Sequence, residues 1–512
     1  MLKLLWIDDE IDHFKSHILF LKNKGYETKT CLSGQEAISL VKINSYDAIL
    51  IDQNMPGLTG TETLDILKKE KTLTPVIMIT QNSDEYTVDE ALGLKVSDYL
   101  IKPLNPNQVL LSLTKIFKNN ELVTNKTISS YQKNYQKINQ DINYCSSINE
   151  WVEIYKTLTY WELEMSQIDN IDIYEILQSQ KTMANKLFGK YIDENYQNVL
   201  LENKIDLSHT LFKNKIYPEL NSKTPTLMVL IDNFRYDQWK SLEPDITSDC
   251  EISINEIYSS IIPTTTQYSR NSIFSGLSPI EVNKKYSELW KNENEEGGKN
   301  LFEALLISDQ LKRLGKETSY SYDKVTNSKE GIKFYKKLEN EKKNDLSVLV
   351  YNFVDMISHA KKDVNFIKEL AKNDKAYRSL TVSWYNNSNL KKIINKAKEL
   401  GYKIIITTDH GTINVSTPSL VSGDKEISTN LRYKTSKRIN SETKSVISLS
   451  DPSKFLLPSN HLGSCYIFAK ENTYFVYSNN YNNYVNMFKN TYQHGGVSLE
   501  EMLVPFVVIK PK

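Results

Sequence analysis

The stretch Tyr402-Lys-Ile-Ile-Ile-Thr-Thr-Asp409-His410-Gly411 constrains the fold more than any other. Three isoleucines between a glycine-led turn and a Thr-Thr pair predict a short buried strand of the kind found inside a parallel sheet. An acid and an imidazole follow at its carboxyl end, and Gly411 lets the backbone turn away. In open α/β sheets, ligands collect outside the carboxyl ends of the strands. Asp409 and His410 therefore stand where a divalent metal ion would bind. Such a strand needs neighbours, and other apolar runs of this chain end the same way.

A chain of 512 residues holds about two to four domains, each able to bury a core. Lys plus Arg and Asp plus Glu both number 63, so no global charge draws the chain to nucleic acid or membrane. Any polyanion site must be local. The four cysteines form no C-x-x-C, which disfavours a disulfide framework or a thiolate zinc site. The N-terminus enters a strand at once, and no apolar run approaches ~20 residues, so a cytoplasmic protein without membrane insertion is expected.

Residues 1–120 alternate strand and helix patterns: strands at Leu2–Ile7, Asp47–Ile51, Pro75–Thr80 and Tyr99–Ile101, helices near Asp12–Lys24 and Asn107–Lys118. Regular alternation predicts a doubly wound parallel sheet. Asp8, Asp9 and Asp52 fall at strand ends, with Thr80 and Lys102 at two later ones. Crowded carboxylates repel unless a cation joins them, and Mg²⁺ is the economical one. Residues 121–205 show no strand pattern. Asn119–Ser130 reads as a hinge or as a continuation of the preceding helix. Beyond it, Trp151, Ile154, Tyr155, Leu158, Trp161 and Leu163 recur at helical spacing, as do Ile173, Ile176, Leu177, Met183 and Leu187. Two or three packed amphipathic helices are expected. No G-x-x-x-x-G-K-[ST] occurs, so an ATPase output is disfavoured.

Residues 206–512 return to strands that end in metal-ligand chemistry. Thr226–Ile231 runs into Asp232, and Leu346–Phe353 leads to Asp355 and His359, four residues apart and so on one face of a helical turn. Asp409-His410 and then His494-Gly495-Gly496 follow. Pro263-Thr264-Thr265-Thr266-Gln267-Tyr268-Ser269-Arg270 opens a helix, where a hydroxyl meets the positive end of the dipole. From the residues alone, Thr264, Thr265 and Thr266 all qualify as a nucleophile. Met502–Ile509 is a last apolar strand, which Pro505 suits to a sheet edge. Arg432, Lys434, Lys437 and Arg438 put four cations in a short acid-free stretch, suited to phosphate contact with Tyr433 available to stack a base. His13, His17, His209 and His461 read as surface or structural residues.

These motifs resemble known families. Asp52-Gln-Asn-Met-Pro56-Gly-Leu-Thr-Gly60 and Lys102-Pro103 resemble the response-regulator receiver domain. By that resemblance Asp52 accepts phosphate, and Asp8 and Asp9 hold Mg²⁺ with Asp52 and the Asn54 carbonyl. Lys102 contacts the phosphoryl group, and Thr80 and Tyr99 act as the switch pair. The ordered set Asp232, Asp355, His359, Asp409, His410 and His494 resembles the alkaline phosphatase superfamily, and Pro-Thr-x-Thr-Gln-Tyr-x-Arg with His-Gly-Gly-x-Ser-x-Glu-Glu-Met resembles its PglZ branch. The whole chain resembles PorX-type response regulators. The fold class implied is α/β multidomain: a flavodoxin-like receiver (1–120), a helical-bundle connector (121–205) and an alkaline-phosphatase-like α/β domain (206–512). The resemblance assigns Asp355, His359 and His494 to one zinc and Asp232, Asp409 and His410 to a second, with Thr266 between them as nucleophile. Gln267-Tyr268 replaces the Pro-Asn that relatives carry. No Cys- or Ser-x-Pro-x-Arg occurs, so sulfatase chemistry is not expected.

The function implied is a zinc-dependent phosphodiesterase for short or cyclic oligonucleotides, regulated by Asp52 phosphorylation and linked to type IX secretion signalling. A sensor histidine kinase, a secretion-system or sigma-factor partner and a homodimer of the phosphorylated chain are implied with it. The alternatives are a phosphomonoesterase, or a scaffold whose metal domain binds without turnover.

Overall fold

A computed structural model describes residues 2–69, 74–81, 96–168, 171–220, 223–291, 298–315, 317–352, 370–423, 430–441, 443–459, 464–479 and 481–511. Asp355, His359 and His461 lie outside the described residues. The chain divides into two compact units, Met1–Ser130 and Tyr131–Lys512.

The first unit is a five-stranded parallel sheet of β1 (Leu2–Ile7), β2 (Tyr26–Cys31), β3 (Ala48–Asp52), β4 (Val76–Thr80) and β5 (Asp98–Ile101), in the order β2-β1-β3-β4-β5. That is the doubly wound order with its switch point between β1 and β3. β3 and β4 are buried along their whole length, as their unbroken apolar runs require of strands covered on both faces. The register sets Ile7 beside Ile51, which brings Asp8 next to Asp52. The last helix runs from Pro106 to Tyr144, so the polar stretch 119–130 continues it. No glycine or proline occurs between Asn107 and Tyr144 to stop it.

In the second unit, Ile148–Ser166 begins at a capping box in which Ser147 and Glu150 satisfy each other's backbone N–H groups. It packs against Ile171–Leu201, and Trp151, Tyr155, Leu158 and Trp161 are buried while Ile176 turns outward. Their core is continuous with that of the α/β part: Tyr155 packs on Tyr236 at 5.8 Å between ring centres, and Tyr196 packs on Phe455 at 4.8 Å.

The main sheet has six strands: β6 (Thr226–Ile231), β7 (Cys250–Ser259), β8 (Tyr320–Val325), β9 (Leu346–Tyr351), β10 (Lys403–Thr407) and the C-terminal strand Leu503–Pro511. β10, β6, β9 and β8 run parallel, and the C-terminal strand lies antiparallel between β10 and β7. That strand is therefore internal, contrary to the edge its proline suggests. The β10 ladder begins at Phe506, opposite Thr407, so Pro505 lies one residue beyond it and its missing N–H interrupts no bond on that side. Its carbonyl accepts from the Thr407 hydroxyl at 2.9 Å. Parallel β6 and β10 both end on the same side, and this places Asp232 and Asp409 together.

Candidate functional site

The receiver unit gathers Asp8, Asp9 and Asp52 so that one carboxylate oxygen of each lies within 4.8 Å of the others. Asp8 and Asp52 are buried and Asp9 is exposed. Lys102 reaches both buried acids, with Nζ at 3.0 Å from Asp8 Oδ2 and 3.0 Å from Asp52 Oδ2. Burial pushes the Asp52 carboxyl up to about 6, against the opposing pull of Lys102. One ammonium cannot balance three carboxylates, and Asp52 Oδ1 is buried without a hydrogen-bond partner. That oxygen suits a hard cation such as Mg²⁺. Thr80 closes β4 and is buried, Tyr99 on β5 is 44 % exposed, and Asn54 is exposed two residues past Asp52.

In the second unit, ligand atoms of Asp232, Asp409 and His410 lie within 4.8 Å of one another, and all three residues are buried. Asp232 directly follows β6, and Asp409 and His410 come in the turn just after β10, past Thr408. Thr266 is the first residue of the helix Thr266–Ser275, with its Oγ1 3.4 Å from Asp232 Oδ1 and 3.2 Å from His410 Nε2. The other two threonines are placed differently. The Thr264 hydroxyl donates to the Gly496 carbonyl at 2.9 Å and accepts from Gly495 N–H at 3.0 Å. Thr265 is the residue before the helix, and its buried hydroxyl has no hydrogen-bond partner.

Both histidines have their tautomer set by a backbone carbonyl, which only accepts. His410 Nδ1 lies 3.0 Å from the Gly411 carbonyl, and His494 Nδ1 lies 3.1 Å from the Thr264 carbonyl. The proton is therefore on Nδ1, and Nε2 carries the lone pair, as a metal-ligating imidazole requires. The two rings stack at 4.3 Å. Two carboxylates, an imidazole Nε2 and a hydroxyl form a donor set that fits a borderline divalent ion such as zinc.

The loop carrying His494 is tied down by the residues that follow it. Glu501 accepts from Gly496 N–H at 2.9 Å and from the Ser498 hydroxyl at 2.7 Å. A Cβ at Gly496 would lie 2.4 Å from the Ala469 carbonyl, so no larger residue fits there.

Arg270 was quoted within the motif but given no role by sequence reasoning. Its buried guanidinium donates from Nε to Asp409 Oδ2 at 3.0 Å and pairs in charge with Asp232, Nη2 lying 2.5 Å from Oδ1, with Glu303 behind it. Burial would push the Asp409 carboxyl up, but Arg270 and His410 outweigh it and hold Asp409 below the usual carboxylate range. One signal pointed to this residue: Arg270 stands four residues after Thr266, on the same face of the helix.

The basic stretch departs from its expected role. Arg432 is fully buried and forms a two-pronged pair with Glu501, at 3.2 and 2.6 Å. Lys434 is also buried, with Nζ 2.8 Å from the Tyr477 hydroxyl and over that ring. Both side chains are thus buried among protein partners, in contrast to the exposed phosphate contacts expected of them. Lys437 and Arg438 are exposed. No helix among the described residues is long and apolar enough to cross a membrane.

Comparison with known proteins adds the following. Residues 4–114 match the response regulator receiver domain, residues 121–200 the PorX response regulator linker domain, and residues 211–509 the BREX system PglZ alkaline phosphatase-like domain. The response regulator SaeR of Staphylococcus aureus strain USA300 is 33 % identical over 116 residues, covering 23 % of this chain and 50 % of SaeR. The chain thus spans about half the length of the curated relatives it matches. Among solved structures, the receiver domain of Francisella response regulator 1452 is 30 % identical, covering 23 % of this chain and 99 % of that one with a TM-score of 0.23. Chemotaxis response regulator CheY4 of Vibrio cholerae is 30 % identical over 23 % of this chain and 98 % of its own, with a TM-score of 0.22. The matched residues run almost end to end, and the longest match covers more than half of the chain: it belongs to the PglZ alkaline phosphatase-like domain family, joined here to a response regulator receiver domain and a PorX response regulator linker domain.

Proposed function

We propose that the C-terminal domain (206–512) is a zinc-dependent phosphodiesterase with Thr266 as nucleophile. In this reading the receiver (1–120) controls it by phosphorylation of Asp52, through the connector (121–205). The observation that carries the reading is the hydroxyl of Thr266, set at a helix N-terminus within 3.4 Å of Asp232 and 3.2 Å of His410. A binding module has no need of a hydroxyl placed among metal-ligating groups.

Bound zinc ions would lower the pKa of the hydroxyl and offset charge on the phosphoryl oxygens. Asp232, Asp409 and His410 would hold one ion; His494, with Asp355 and His359, would hold the other. Thr266 Oγ bonds to phosphorus as the bond to the leaving alcohol breaks, and the first turn of Thr266–Ser275 presents its N–H groups to the anion. Water then cleaves the phosphothreonine and restores the hydroxyl. Arg270 keeps Asp232 and Asp409 aligned throughout.

Short or cyclic oligonucleotides are the proposed substrates. Lys437 and Arg438 lie exposed after the strand Tyr433–Ser436, whose first ring packs on Tyr268 of the nucleophile helix at 5.9 Å. A sensor histidine kinase as phosphodonor, Mg²⁺ at Asp8, Asp9 and Asp52, a dimer of the phosphorylated form and a role in type IX secretion signalling belong to the same proposal.

Hydrolysis of bis-p-nitrophenyl phosphate against p-nitrophenyl phosphate, with zinc and with chelator, tests the reaction class. Chelator-sensitive cleavage that favours the diester is expected. Preference for the monoester would make the domain a phosphatase, and no turnover of either with metal bound would favour the scaffold.

A further inference from the structure

Behind the metal-site loops lies a buried network of charges that the reaction above does not use. Lys181, on the linker helix Ile171–Leu201, is 7 % exposed. Its Nζ contacts three carboxylates: Glu162 at 2.7 Å, Asp374 at 3.1 Å and Glu500 at 3.5 Å. Glu162 lies on the other linker helix, Ile148–Ser166, and also pairs with Arg378 at 2.8 Å.

From Lys181 the network reaches each of three loops that carry metal-ligating residues. Asp374 Oδ1 accepts from Arg235 at 2.7 Å, three residues past Asp232. The same oxygen accepts from the Tyr492 hydroxyl at 3.0 Å, two residues before His494. Arg235 also clamps Asp237 with two bonds of 2.8 Å, and the Tyr492 ring stacks on Tyr377 at 3.9 Å. Glu500 makes the third link. Its carboxylate accepts from Asn185 of the linker at 2.9 Å, and its carbonyl lies against Gly411, where a Cβ would stand 1.9 Å away. Gly411 directly follows His410.

Taking this many charges out of water is costly, and well-packed apolar side chains would hold two layers together at least as well. What ion pairs add is direction. Each carboxylate here has fixed partners on both oxygens, so a shift of Lys181 moves Asp374 and Glu500 together. Resting on the zinc-site reading above, we propose that Lys181 and Glu162, both on linker helices, are positioning residues of the candidate phosphoesterase site. They set the relative placement of the loops bearing Asp232, His410 and His494. The linker is then part of the scaffold of the metal site and more than a spacer.

The test uses the full chain, freed of metal and titrated with zinc against a chromogenic chelator, with the melting temperature and bis-p-nitrophenyl phosphate kinetics measured alongside. Lys181→Met leaves buried carboxylates unbalanced and threatens folding. The double variant Glu162→Gln/Lys181→Met removes one charge of each sign and keeps the balance. Lys398→Met, which breaks a lysine–Asp249 pair of 2.6 Å away from these loops, serves as the control. The double variant is expected to bind zinc about ten-fold more weakly, as loss of outer-shell partners commonly does, and to lower kcat with KM little changed. Lys398→Met is expected to leave zinc affinity unchanged. Wild-type zinc affinity in the double variant, with only its melting temperature lowered, would overturn the inference. A wild-type chain that takes up no zinc would overturn the zinc-site reading and this inference with it. Zinc uptake without diester cleavage would sink the phosphodiesterase reading alone, and the zinc titration would still decide the role of Lys181.

Discussion

Thr266→Val should lower kcat on bis-p-nitrophenyl phosphate by about 10³-fold or more, while the chain still folds and still binds zinc. Valine is close to threonine in shape and removes only the hydroxyl. When a covalent nucleophile is lost, what survives is the catalysis supplied by the rest of the site. The two groups facing that hydroxyl, Asp232 and His410, lie in the loops that follow β6 and β10, each set by its own strand and not by the hydroxyl. Thr264→Val should behave differently. Its hydroxyl bonds the backbone at Gly495 and Gly496, so the change should lower the melting temperature as it disturbs the His494 loop. If Thr266→Val retained wild-type turnover, the nucleophile would have to be water or another residue. Steady-state kinetics with a melting curve on the same samples separates these cases.

Asp52→Asn should abolish phosphoryl uptake from acetyl phosphate in the presence of Mg²⁺, read as the intact-mass increment of the phosphorylated chain. Asparagine keeps the shape and loses both the nucleophilic oxygen and the charge that draws the cation. Uptake by the wild type at limiting Mg²⁺ should weaken as pH falls toward about 6, to which burial raises the Asp52 carboxyl of the metal-free site, and more Mg²⁺ should move that loss to lower pH. The sign follows from competition: a protonated carboxyl is neither a ligand nor a nucleophile. If phosphorylation drives the proposed dimer, Asp52→Asn should also stay at the oligomeric state of the untreated protein. Uptake that persists in Asp52→Asn would move the acceptor elsewhere.

The parts legible in the sequence are those whose cause is local. An unbroken apolar run such as Thr226–Ile231 signals a strand buried on both faces, and the residue that ends it falls at the ligand-binding edge of the sheet. Asp232, Asp409 and the receiver acids were placed that way. The less legible parts depend on partners far along the chain. A run of cations looks alike whether solvated or buried, and Arg432 finds its partner 69 residues later in Glu501. Lys181 and Asp374 are 193 residues apart, and no spacing rule joins them. Pro505 shows the same limit for strand order. A proline argues for an edge only where its N–H would have bonded, and the register puts Pro505 just past the ladder with β10, the side its carbonyl faces. The long helix Pro106–Tyr144 is the opposite case, since the absence of glycine and proline, readable in the sequence, outweighs its polar middle.

Zinc content is the most direct measurement: the full chain is equilibrated with zinc, freed of excess and analysed for metal, beside Asp409→Asn. About two zinc ions per wild-type chain are expected, and about one or fewer in the variant. A wild-type chain that retains no zinc, or an Asp409→Asn chain that retains the full complement, would contradict the metal site on which the phosphodiesterase reading rests.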